Sequence, residues 1–107
     1  ERLNNVFGAR LRITAVGAEK GPAVEFLEYL SPRDGRHLPG DAKANDLWHW
    51  HITLAVPSAE AAAAAIKAGG YRYISPGIVT LPAEGFSYKK GLMARDPTGH
   101  ALLFIER

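Results

Sequence analysis

Apolar and polar positions alternate along two early stretches of the chain. In "RLRITAV" (10–16), Arg10, Arg12 and Thr14 fall on one side and Leu11, Ile13 and Ala15 on the other. A period of two is the signature of a strand. In "AVEFLEYL" (23–30), Val24, Phe26, Glu28 and Leu30 stand opposite Glu25, Leu27 and Tyr29. "GAEKGP" between them is turn chemistry, so the pair reads as a hairpin.

"SPRDGRHLPGDAKAND" (31–46) follows, a long polar stretch with prolines, glycines and mixed charges. Loops of this length are uncommon inside compact domains and join units or carry function. We take it as a linker and the main boundary.

After it, "LWHWHITLAV" (47–56) alternates again. Trp48, Trp50, Ile52, Leu54 and Val56 share one face, and His49, His51 and Thr53 share the other. "PSAEAAAAAIKAGG" then predicts a helix, with Ser58 as N-cap, Glu60 in the first turn and Gly69–Gly70 as the stop. Its alanines favour helix and keep it thin enough to lie close to a sheet. "YRYI" (71–74) reads as a short strand, and "GIVTLP" with "SYKKGLMARD" adds one or two more. "DPTG" (96–99) has the residues of a tight turn in order, and "HALLFIER" closes as a strand. The expected order after the linker is strand, helix, strand, strand, strand.

Composition narrows the picture. The chain has 107 residues, 47% of them hydrophobic, which suits one small domain with a core. No run approaches the ~20 apolar residues of a membrane span. No signal-peptide pattern opens the sequence, since Glu1, Arg2, Asn4 and Asn5 are polar. Thirteen basic against eleven acidic residues leave a net charge of +2, spread along the chain with no stripe to track phosphates. We therefore expect neither a membrane nor a nucleic-acid partner. The absence of cysteine excludes disulfides and thiolate sites and fits a reducing, cytoplasmic setting. No nucleophile elbow, phosphate loop or dinucleotide fingerprint occurs, and no catalytic residue is assigned.

Three segments carry a resemblance. In the vicinal-oxygen-chelate superfamily of glyoxalases, bleomycin-resistance proteins and extradiol dioxygenases, "WHWHITLAV" with its Ser-capped helix and "KAGG" resembles the opening of a second module, the Arg95–His100 turn within "DPTGHALLFIE" its closing hairpin, and "GPAVEFLEYLSP" the last strand of a first module. The resemblance runs from about residue 8 to the C-terminus. It implies an α+β fold with one complete βαβββ module (47–107), preceded by the last two strands of another (within 1–30), in a cup-shaped mixed sheet. It also implies that the rest of the first module comes from another copy, as a homodimer or domain-swapped dimer, or was lost upstream.

In metal-dependent members of the superfamily, each module supplies a ligand from its first strand, typically His, and one from its last, typically Glu. The resemblance thereby puts His51 and Glu25 at ligand positions and Leu103 where a carboxylate would stand. Leucine cannot coordinate a metal. Glu106 lies three residues on and projects from the other face. The expectation is a small-molecule-binding protein without a complete metal site and without a cofactor. Its cup would be lined by His49, Thr53, Leu27, Tyr29 and Leu103. The alternative is a lyase, isomerase or dioxygenase using a divalent ion (nickel, zinc, manganese or iron) on a substrate with vicinal oxygens, held by His51 and Glu25.

Plainer roles stand beside these. His49 and His51 suit polar positions bonded to neighbours or water, Glu25 a salt bridge to Arg10 or Arg12, and Trp48 and Trp50 a core beneath the helix. His37 and His100 receive no role.

Overall fold

A computed structural model describes residues 5–107. They form a mixed α+β structure with one helix, a two-stranded sheet and a four-stranded sheet. The chain divides into two units after Arg36, within the polar stretch 31–46, and each unit is described by itself.

The first unit is the hairpin. β1 (Arg10–Val16) pairs antiparallel with β2 (Val24–Ser31). Gly21, at φ 102°, supplies a left-handed turn conformation that a side chain would resist. The register sets Leu11 opposite Tyr29, Ile13 opposite Leu27 and Ala15 opposite Glu25 on one face. Arg12 faces Glu28 on the other, and their side chains pair at 3.0 Å. Glu25 therefore sits across from Ala15, and the expected salt bridge belongs to Glu28 instead. Both partners of that bridge are at least half exposed, so it contributes little to stability.

The second unit holds β3 (His51–Ala55), α1 (Ala59–Ala68), β4 (Val79–Thr80), β5 (Lys90–Arg95) and β6 (Ala101–Glu106). The sheet order is β3-β6-β5-β4, with β3 parallel to β6 and the other pairs antiparallel. A parallel pair needs a long crossover, and α1 lies within that connection. α1 packs on β5 and β6. Ala59, Ile66, Leu92 and Ala94 form the buried cluster, with Tyr73 and Phe104 against it. The Tyr73 hydroxyl donates to the Ala63 carbonyl at 2.9 Å, so this aromatic ring enters the core without an orphaned polar group.

The helix begins as its residues dictate. Ser58 is the N-cap, and its Oγ accepts from the Ala61 N–H at 3.1 Å. At the other end, Gly69 is the C-cap and Gly70, at φ 68°, turns the chain away. The DPTG turn closes with a hydrogen bond from the Gly99 N–H to the Asp96 carbonyl. Gly99 is favoured on two counts. Its φ is 100°, and a Cβ there would stand 2.8 Å from Leu38 Cδ2.

Two expected elements are shorter than their patterns. The strand anticipated from residue 47 starts at His51, because the preceding residues turn. The Asp46 carboxylate accepts from the Lys43 N–H at 2.8 Å, and the Asp46 carbonyl accepts from the His49 N–H at 3.0 Å. Trp48 and Trp50 thus precede the strand and are 51% and 58% exposed, not core beneath the helix. Residues 71–74 reduce to a single bridge between Tyr73 and Ala94, flanked by Gly69–Gly70 and Ser75-Pro76-Gly77.

Candidate functional site

The two faces of the four-stranded sheet differ. Leu92, Ala94 and Phe104 turn toward α1. Side chains alternate along a strand and align across paired strands. The residues between them therefore face away from the helix: His51 and Thr53 on β3, Ala101 and Leu103 on β6, Met93 on β5. Thr53, Leu103 and Met93 make one row, Thr53 paired with Leu103 and Leu103 with Met93. His51 begins the next row, paired with Ala101.

A pocket of about 360 Å³ opens beside this face. Met93 and Leu103 contribute from the sheet, and Val79 and Leu81 from the β4 region. Ile74 and Ser75 border it from the segment before β4. The Ser75 hydroxyl donates to the Gly77 carbonyl at 2.7 Å and accepts from the Met93 N–H at 3.0 Å, so its polarity is spent on the local backbone. Tyr88 also lines the pocket, and its ring packs close on Gly91, where a Cβ would stand 3.1 Å from Tyr88 Cε2. The volume is within the range of small-molecule sites, about 300–1,000 Å³.

Of the residues anticipated from sequence, the fold brings His51, Thr53 and Leu103 onto this one face. His49 lies just before β3, its Nε2 3.3 Å from His51 Nδ1 with the rings tilted by 45°. Such a contact needs one imidazole to donate and the other to accept. Glu25, Leu27 and Tyr29 share one face of the hairpin, with Leu11 and Ile13 across from Tyr29 and Leu27. These two sets belong to separate units.

Three further features escaped the sequence reading. Glu106 holds the start of the helix. Its Oε2 accepts from the Ala59 N–H at 2.7 Å, at the first turn of α1. Glu60 pairs with Lys90 at 2.5 Å, which lowers the carboxyl pKa and raises that of the amine. Asp96 organises its turn, with Oδ1 accepting from the N–H groups of Thr98 and His100 and from the Thr98 hydroxyl. Asp96 Oδ2 lies 2.7 Å from His100 Nδ1. Burial opposes the Asp96 charge, but hydrogen bonds from His100 and Thr98 outweigh it and hold the pKa below its usual value. An ionised carboxylate can only accept, so His100 Nδ1 carries the proton in that bond. Asp at the first turn position followed by Thr two residues on was the available signal, since Asp side chains bond their own turn backbone.

Among the described residues, no group of three or more His, Cys, Asp or Glu side chains is placed to hold a metal ion. No helix among them is long and apolar enough to cross a membrane. Comparison with family models, with curated proteins and with solved structures finds no match for this chain.

Proposed function

We propose that this protein binds a small organic molecule, as a member of the vicinal-oxygen-chelate superfamily that lacks a complete metal site. The observation that carries the reading is the 360 Å³ pocket with Leu103 on its wall. That position is where the resemblance calls for a metal-binding carboxylate, and it holds an apolar side chain. Lining of this kind suits desolvation of a ligand better than coordination of an ion. His51 and Thr53 extend the same sheet face, and His49 adjoins it. The same reading has the protein act as a homodimer in the cytoplasm.

The alternative is a metal-dependent lyase, isomerase or dioxygenase. His51 favours it, standing on the pocket side of the sheet at a ligand position. With Leu103 unable to donate, only His51 and Glu25 remain at matching positions, too few for a first-row ion that needs several N or O donors. The residues present therefore do not fit a resident metal, and we derive no step through one.

Elemental analysis after exposure to nickel, zinc, manganese and iron, with the mass in solution, tests the choice. The proposal expects sub-stoichiometric metal and a dimeric mass. Near one metal per chain or per dimer would overturn it in favour of the enzyme.

A further inference from the structure

The chemistry of the pocket wall narrows the class of ligand. Resting on the ligand-binding reading above, we infer that the pocket takes an uncharged, mainly apolar molecule carrying one hydrogen-bond acceptor, which the Tyr88 hydroxyl anchors.

The first ground is charge. Every wall side chain is neutral, with Ile74, Val79, Leu81, Met93 and Leu103 supplying apolar surface. An ionic group entering such a wall loses hydration and meets no counter-charge, a penalty far above that for a neutral polar group. A carboxylate or phosphate is therefore disfavoured as the buried part of the ligand.

The second ground is the polar inventory. Two of the residues lining the pocket carry side-chain hydroxyls, Ser75 and Tyr88. Ser75 has donated its only proton to Gly77. No hydrogen bond to the Tyr88 hydroxyl is formed among the described residues. Tyr88 is half-buried, and its ring is seated against Gly91, so the phenol is held by its body while its hydroxyl bonds to no described residue. One donor on an apolar wall selects a ligand with one acceptor, such as a ketone, ester or ether oxygen.

Three probes of nearly one shape separate these terms: 2-ethylnaphthalene, 2-acetylnaphthalene and 2-naphthoate, titrated by calorimetry against the full chain. The ketone is expected to bind tightest, and the carboxylate at least roughly tenfold more weakly than the ketone. Tyr88→Phe keeps the ring and removes the donor. It should weaken the ketone by about 2- to 10-fold, the worth of one neutral hydrogen bond, and leave the ethyl compound unchanged. Val79→Trp, at a partly exposed wall position, should weaken the ketone and the ethyl compound together by filling the pocket.

Naphthoate binding as tightly as the ketone would overturn the uncharged class and leave the ligand-binding reading standing. Unchanged ketone affinity in Tyr88→Phe would overturn the anchor alone. Ketone binding untouched by Val79→Trp, in a variant whose circular dichroism matches the parent, would place the probe elsewhere and sink the inference. Failure of all three probes to bind would remove the pocket as a ligand site and take the parent reading with it.

Discussion

The Glu106 carboxylate accepts a hydrogen bond from the backbone N–H of Ala59 at 2.7 Å, joining the end of β6 to the start of α1 across 47 residues of sequence. The first N–H groups of a helix have no partner within it, and they form the positive end of its dipole. Ser58 satisfies one of them locally, from Ala61, and Glu106 satisfies another from the far end of the fold.

Glu106→Ala should therefore lower stability by about 1–3 kcal/mol, the cost of leaving a part-buried donor without its charged acceptor. Glu106→Gln retains an acceptor and should cost less. Urea unfolding checks both. Equal midpoints for parent and Glu106→Ala would show that water replaces the contact at no cost.

Asp96 makes acid stability testable. Its carboxyl pKa is held below the ordinary 3.8 by His100 and Thr98, against the opposing effect of burial. A carboxyl depressed in the folded state stabilises fully above its unfolded value, and loses that contribution as pH falls through the folded value. Stability should thus drop as pH falls below about 4, and Asp96→Asn should flatten the drop while lowering stability at neutral pH. Thermal unfolding from pH 7 to pH 2 measures it. A parent-like slope in Asp96→Asn would assign the acid sensitivity to other groups.

Leu92 is 1% exposed and sits between β5 and α1 in the buried cluster. Its truncation leaves a cavity that alanine-rich α1 cannot fill with a longer side chain. Leu92→Ala should cost about 2–5 kcal/mol. A loss below 1 kcal/mol, read by chemical denaturation, would mean that the helix collapses onto the sheet.

The histidines at the start of β3 separate by role. In protein that does take up metal, His51→Ala should abolish binding, while His49→Ala, before the strand, should weaken it less. Metal content of the two variants decides this. Unchanged content in His51→Ala would reject His51 as a ligand.

Local chemistry made the helix and hairpin legible. Alternation over 10–16 and 23–30 predicts both hairpin strands and the faces their side chains take, since successive side chains of a strand point to opposite sides. Ser58 and Gly69–Gly70 mark the helix ends by capping rules that need only neighbouring residues. Trp48 and Trp50 were misread for a physical reason. Their alternation continues that of β3, but the Asp46 turn consumes the backbone hydrogen bonds that a longer strand would need.

The pocket and its partners came from pairing between distant segments. Nothing local says that Met93, Leu103 and Thr53 share a row, because strand register depends on how β5, β6 and β3 align in space. Nor does it reveal that Glu106 caps α1 or that Tyr88 leans on Gly91. Residue order and short-range chemistry set the α+β element sequence, the caps, the turns and the alternating faces. Folding chose which faces meet, since those contacts join residues tens of positions apart whose energies arise only once the sheet has assembled.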